Sequence, residues 1–219
     1  MITELPSVIE PPPGEAAWGT SAAGHPMRLV TREVAFDPAS WTPARQAEVA
    51  AFFDELAPDW NSRNVAGRER PIFDALDRGI GAAPEAVRGV GVELGGGTGM
   101  YAAALAEQFP TLVTMDLSAE MMRLVPPSAA LRVQGDGSNL PVADGSVDAL
   151  ILVNMFLFPA EADRVLSPSG VVVWVSSRGP DTPIHLPASD VDQALPGDWT
   201  GVAAQAGWGT WSVHWRTPT

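Results

Sequence analysis

At 219 residues, with 46% hydrophobic and 18% charged side chains, the chain has room for one α/β domain and an extension. Its formal net charge of −13, with thirteen arginines and no lysine, excludes lysine chemistry and argues against a nucleic-acid partner, whose affinity rests on neutralising phosphates. Without cysteine there is no disulfide, thiolate metal site or thiol nucleophile, and no apolar run approaches the roughly 20 residues that span a bilayer.

Residues 1–38 carry Pro6, Pro11, Pro12, Pro13, Gly14, Gly19, Gly24 and Pro26 with little hydrophobic periodicity. They read as an irregular or disordered N-terminal arm, in which Trp18, Met27, Leu29 and Val30 have the bulk to pack over a site. Met1 to Pro6 shows no basic region followed by an apolar core, so no secretory leader is expected and cytoplasm is the default. Residues 39–85 read as helical. Thr42 caps a helix with Pro43 in its first turn, and Val49, Phe52, Phe53 and Leu56 form its apolar stripe. A second helix is predicted from Arg70 to about Ile80, ended by Gly81 and Pro84.

Residues 86–219 begin the core with Val90-Gly91-Val92-Glu93-Leu94, a short buried strand ending in an acid. Gly95, Gly97 and Gly99 then free the backbone to turn and approach a ligand, and Ala102 to Leu105 are helix formers. Strand, glycine loop and helix in that order make a nucleotide crevice. Gly97-Thr98-Gly99-Met100-Tyr101-Ala102 also fits the dinucleotide pattern, with Asp116 at a suitable distance, so a nicotinamide oxidoreductase stands as an alternative. Glu93 weighs against it, since a carboxylate there repels a pyrophosphate but tolerates a cation.

A second strand, Leu112 to Met115, delivers Asp116, which can accept from two ribose hydroxyls. A helix from Ala119 to Leu124, capped by Ser118, follows. A third strand, Leu131 to Gln134, leads to Gly135-Asp136-Gly137-Ser138, where Asp136 can accept from an adenine amine and the Gly137 N–H can serve a ring nitrogen. The fourth strand ends at Asn154. The fifth is Val171 to Val175, and a helix capped by Ser189 runs to Leu195. Residues 199–205 and 210–216 form a terminal antiparallel hairpin, in which Trp211, Val213 and Trp215 alternate with polar residues.

The acid-bearing Glu-x-Gly-x-Gly-x-Gly at 93–99, the acids Asp116 and Asp136 at successive strand ends, and Arg164-Val165-Leu166-Ser167-Pro168-Ser169-Gly170 resemble the motifs of class I S-adenosylmethionine-dependent methyltransferases. The one departure is Ser169, where a glycine is usual. The resemblance covers roughly residues 42 to 216. It implies a doubly wound, mostly parallel seven-stranded Rossmann-like α/β sheet with the hairpin at its end, and helices of 39–85 covering the cofactor. It further implies S-adenosylmethionine held by Trp60, Arg63, Glu93, Gly95, Gly97, Gly99, Asp116, Leu117, Asp136, Gly137, Ser138 and Asn154. Trp60 would cover the sulfonium and Arg63 would pair with the donor carboxylate.

Methyl transfer to an O, N or C nucleophile relies mainly on positioning in a dry site, so no universal catalytic residue has to be visible. Asn154 stands where the methyl group is expected, and His185, after the fifth strand, is the one histidine placed to act as a base. The three histidines have no metal-ligand spacing, and Walker, zinc-protease and nucleophile-elbow motifs are missing. A small-molecule acceptor is expected, with no nucleic-acid or membrane partner. A cofactor-binding domain without catalysis is the remaining alternative.

Overall fold

The computed structural model describes residues 1–13, 22, 24–127 and 129–217. Eight strands form one sheet: β1 (Ile2–Glu4), β2 (Val90–Leu94), β3 (Thr111–Asp116), β4 (Leu131–Gln134), β5 (Val147–Val153), β6 (Leu166–Ser176), β7 (Trp199–Ala206) and β8 (Gly209–Arg216). Their order is β1-β7-β8-β6-β5-β2-β3-β4. Pairing is parallel throughout except where β8 lies antiparallel between β6 and β7. The doubly wound sheet with its terminal hairpin is therefore as predicted, with one strand more than the seven expected.

The extra strand is β1, and it revises the reading of residues 1–38 as irregular. Ile2, Thr3 and Glu4 pair in parallel with Gly201, Val202 and Ala203 at the outer edge of β7. Beyond it the proline-rich stretch is held by side-chain donors: Arg78 bonds the Pro6 carbonyl at 3.0 Å and Arg70 the Glu10 carbonyl at 2.9 Å. Prolines supply no N–H, but their carbonyls still accept, and arginines meet that need. A helix α1 (Pro26–Phe36) also lies in the arm, N-capped by His25, whose Nδ1 accepts from the Met27 N–H at 3.2 Å. It buries Thr31, Val34 and Ala35. Of the residues singled out for packing, Met27 and Val30 pack against the core, Leu29 is exposed, and Trp18 lies outside the described residues.

Helix α2 (Pro43–Leu56) is capped by the Thr42 hydroxyl and runs into a 3₁₀ turn, Ala57–Arg63. Residues 70–82 form a second helical segment, α3 (Arg70–Asp74) and α4 (Ile80–Ala82), joined through a π-helical turn at Ala75–Gly79. Gly79 lets that segment press on the sheet, since a Cβ there would lie 2.4 Å from Val213. The segment buries Asp74, which accepts from the Trp211 indole at 2.7 Å and pairs bidentately with Arg78.

The remaining helices are α5 (Ala102–Ala106), α6 (Ala119–Leu124), α7 (Pro159–Val165) and α8 (Ala188–Ala194). Helix α8 follows Pro187 without a side-chain cap, so the cap expected at Ser189 is not used. Both faces of the sheet are buried, and β5 shows why its sequence is apolar throughout. Leu150 and Leu152 join the core under α1 and α7, while Ala149 and Ile151 join the core under the 70–82 segment. No helix among the described residues is long and apolar enough to cross a membrane.

Candidate active site

A cleft of about 240 Å³ opens beside the carboxyl ends of β2, β3, β5 and β6. This is where winding reverses: β2 to β4 step one way across the sheet, β5 and β6 the other. Its floor is the loop after β2. Gly95, Gly97 and Gly99 have φ of 73°, 57° and 72°, the left-handed region glycine enters without penalty. Close packing adds a second demand. A Cβ on Gly95 would lie 2.5 Å from the Met155 sulfur, and one on Gly99 2.8 Å from Val125. At Gly97 the nearest atom to a Cβ would be Trp60 Nε1 at 3.4 Å, so the indole lies directly across the loop.

Two carboxylates face this floor. Asp116 accepts the Gly97 N–H at 2.8 Å and the Ser118 N–H at 2.9 Å. Burial pushes its pKa up, and these backbone bonds oppose the rise. Glu93 is only 2% exposed and accepts the Thr114 hydroxyl at 2.8 Å. Burial pushes its pKa up to about 7, the Thr114 bond opposing and the Asp116 charge adding. A carboxyl held near neutrality inside a cleft is poised to ionise when a cation arrives.

The N-terminal helices form the cover. The apolar stripe of α2 serves the cleft more than the core: Phe52, Phe53 and Leu56 line it, and Phe52 stays 40% exposed. Phe53 meets Trp60 edge-on at 5.8 Å, and the Arg63 guanidinium sits 5.2 Å over the indole. Asp54 fastens this cover to α6 by accepting from the Ser118 hydroxyl and, at 3.1 Å, from the Glu120 N–H.

Of the residues expected to hold a cofactor, Trp60, Arg63, Glu93, Gly95, Gly97, Asp116, Leu117, Gly137 and Asn154 line this one cleft. Gly99 shapes the loop from beneath. Asp136 and Ser138 are different. The buried Trp41 indole donates to Asp136 at 2.9 Å, and Ser138 donates to the same carboxylate through its N–H at 2.9 Å and its hydroxyl at 2.8 Å. Trp41 lines the cleft, whereas Asp136 stands behind it as the acceptor that a buried indole needs. Asp136 thus already accepts three hydrogen bonds from the protein and does not itself line the cleft.

Asn154 ends β5 at φ 52°, the one described non-glycine residue in the left-handed region. Its amide explains that conformation: Oδ1 accepts the Ser177 N–H at 2.8 Å while Nδ2 donates to the Ser177 hydroxyl at 2.9 Å. Arg68 Nε donates to that same hydroxyl at 3.1 Å. The side chain thus locks the ends of β5 and β6 together.

His185 does not reach the cleft. Thr182, Pro183 and Ile184 of its loop line it, but His185 turns into a separate recess with Arg28 and Asp190. There its Nδ1 lies 2.8 Å from the Ser176 hydroxyl, and burial lowers its pKa to about 4. An imidazole that faces away from the cleft is not placed to serve it as a general base. The reason is local: Trp174 donates to the Leu186 carbonyl at 3.2 Å, which draws this end of the loop to the sheet.

Among the cleft residues that escaped the sequence reading are Arg68, Tyr101 and Arg178. Weak signals existed. Tyr101 is the only tyrosine of the chain and follows the glycine loop directly, and Arg178 comes just after a core strand.

Comparison with known proteins gives these features a context. The profile of a family described as "Methyltransferase domain" matches residues 92–174. The chain is 30% identical over 181 residues to the biotin biosynthesis bifunctional protein BioHC of Cellvibrio japonicus, covering 77% of this chain and 35% of that protein. It is 31% identical over 156 residues to a malonyl-[acyl-carrier protein] O-methyltransferase of Dechloromonas aromatica, covering 68% of this chain and 57% of that one. The chain therefore spans well under two thirds of either curated relative. In fold it is similar to the DhpI–SAH complex, with TM-score 0.60 at 18% identity over 78% of this chain and 96% of that chain. It is likewise similar to a SAM-dependent methyltransferase of Thermotoga maritima, with TM-score 0.56 at 14% identity over 77% and 99% of the two chains.

Proposed function

Because the chain carries a class I S-adenosylmethionine-dependent methyltransferase domain, we propose that it transfers a methyl group to an oxygen of a small-molecule acceptor. The observation that carries this reading is the extent of the cleft. It runs from the glycine loop and Asp116 on to Asn154, Met155 and residues 182–184, well past the loop and acid that would hold the donor. A domain that merely held the cofactor would not need that extent. The oxygen follows the O-methyl transfer named for the Dechloromonas relative.

The cleft residues fit this cofactor. Glu93 and Asp116 supply acceptors for ammonium and hydroxyl donors, the missing Cβ at Gly97 leaves its floor open beneath Trp60, and Leu117 and Gly137 add an apolar wall. When bound, S-adenosylmethionine supplies an electrophilic methyl on a positively charged sulfur. The protein's part is to orient and to exclude water. Trp60 and Phe53 close the cover, the Trp60 face suits a cation, and Met155 seals the loop at Gly95. Asn154, fixed by both its amide atoms, gives the acceptor side a rigid edge.

Calorimetry is the direct test. S-adenosylmethionine or its demethylated product is expected to bind with micromolar affinity, and NAD and NADP are not. Binding of NAD without binding of S-adenosylmethionine would overturn this reading. An acceptor screen read by release of S-adenosylhomocysteine then separates an enzyme from an inert binding domain.

A further inference from the structure

A second recess, of about 710 Å³, lies over β6, β7 and β8 between α1 and the start of α8. That volume is in the range of small-molecule sites. One loop divides it from the cleft: Thr182, Pro183 and Ile184 face the cleft, while Pro180, His185 and Leu186 face the recess. Methyl transfer in the cleft makes no use of this second space.

Its chemistry is two-sided. Trp174, Leu186, Ala203 and Ala204 supply an apolar lining. The charges around it largely cancel, because Arg32 pairs with Asp190 and Glu4 is exposed to water. Arg28 is the cation left over, and among the described residues it is in no ion pair. Its Nη2 donates to the Pro180 carbonyl and, at 2.8 Å, to the Thr182 carbonyl, which fixes the guanidinium. Its Nε is buried without a hydrogen-bond partner among the described residues. Buried donors nearly always have partners, so an orphaned one on a cavity wall marks a place for a ligand acceptor.

His185 supplies a second donor from a different element. Its Nδ1 lies 2.8 Å from the Ser176 hydroxyl. When that hydroxyl donates to Nδ1, the proton of the imidazole sits on Nε2, and the ring brings a neutral N–H to the wall that Arg28 shares.

We infer that this recess is a second ligand site, for a small organic carboxylate with an apolar body. Arg28 and His185 hold the carboxylate, and the body packs against Trp174 and Leu186. Arg28 repels an ammonium compound, and a bare inorganic anion leaves the apolar lining in water. The occupant also touches the residue that braces the cleft wall, because Arg28 is what ties down the carbonyls of Pro180 and Thr182. Binding is non-covalent and stands apart from the methyltransferase reading.

The test is calorimetry on the full chain with benzoate and octanoate as probes. Each is compared with its amide, and acetate and octylamine serve as contrasts. Octanoate or benzoate is expected to bind roughly tenfold or more tighter than its amide and than acetate, with octylamine weaker still. Arg28→Gln should weaken the acid about tenfold and leave its amide unchanged. That change also loosens the loop, so Ala188→Trp provides a second variant that keeps Arg28 and fills the recess. It should weaken the acid tenfold or more while S-adenosylhomocysteine affinity stays within about twofold. Location is read separately, by irradiating the chain with an aliphatic acid that carries a diazirine and mapping the adduct by peptide mass spectrometry. The label is expected within residues 185–188 or 203–212 and should be displaced by octanoate. Equal binding of acids and amides, no acid binding at millimolar concentration, a label in the cleft, or an Ala188→Trp protein that binds the acid as the parent does would each overturn the inference.

Discussion

Asp116 ends strand β3 and Arg178 follows β6, and β2 and β5 separate the two strands, so about 14 Å of sheet lies between them. Both line one cleft, and both are held in a charge state that their burial resists. At the Asp116 end the stressed charges are negative and come from a single stretch of sequence, residues 93–116. At the Arg178 end they are positive and come from segments more than a hundred residues apart. The contrast is between an end encoded by one local stretch of sequence and an end that only the fold assembles.

The sharpest way to break this comparison is at Glu93. Its pKa is about 7 in the folded protein against an ordinary carboxyl value near 4.5, so between those values the folded state holds a proton that the unfolded state has lost. The contribution of Glu93 to the stability of the unliganded protein should therefore fall as pH rises from about 4.5 to about 7 and level off above that, while the buried His185 and His214, lowered to about 4 and about 3, contribute in the opposite direction below about pH 6.5. Glu93→Gln cannot titrate. It should remove that decline and be more stable than the parent above pH 7, by on the order of 3 kcal/mol at most, in chemical denaturation across pH. Cofactor affinity of the parent should move the other way, strengthening as pH rises through about 7, because the ionised carboxylate is the form that meets an ammonium. A stability difference between Glu93→Gln and the parent that does not change with pH would show that Glu93 is solvated better than its burial implies.

Asp116→Ala comes next. Loss of a charge-assisted bond to the ribose costs about 1.5–3 kcal/mol, or roughly tenfold to a hundredfold in S-adenosylmethionine affinity, with the fold intact by circular dichroism. Unchanged affinity in a folded Asp116→Ala protein would mean that the ribose is held elsewhere.

A smaller effect is expected at Asn154, where backbone and side chain can be separated. Asn154→Ala loses the paired bonds to Ser177 and places a Cβ residue at φ 52°, while Asn154→Gly loses only the bonds. The alanine variant should be less stable than the glycine variant by about 1 kcal/mol in urea denaturation. Smallest of all is His185→Ala, for which methyl transfer to any active acceptor should stay within about twofold of the parent. A hundredfold loss there would restore a histidine base and undo the separation of the two recesses.

Legibility in the sequence followed the same divide. The strand, glycine loop and helix from Val90 to Ala106 were readable because each step depends on neighbours in the chain, and α6 ran over its predicted residues for the same reason. β1 was not readable, since three edge residues carry no alternation and their partner lies almost two hundred positions away. Asp136 was placed at the right strand end, yet its acceptor capacity went to the Trp41 indole, a competitor no local pattern reveals. His185 failed similarly: position after β6 was correct, but orientation was decided by Trp174 and its bond to Leu186. Arg68 lies outside every motif, and its guanidinium is held by the Arg63 carbonyl and by the Ser177 hydroxyl 109 positions on.

The left-handed backbone at Asn154 also sets how the proposed acceptor site is free to diversify. Glycine, asparagine and aspartate tolerate such a φ, and most other residues there would loosen the join between β5 and β6 before changing any specificity. Neighbouring wall positions such as Arg63, Met155 and Pro183 carry no such constraint. Libraries aimed at new acceptors should therefore spare position 154 and randomise those neighbours, and surviving variants should keep Asn154 far more often than chance while the neighbours scatter.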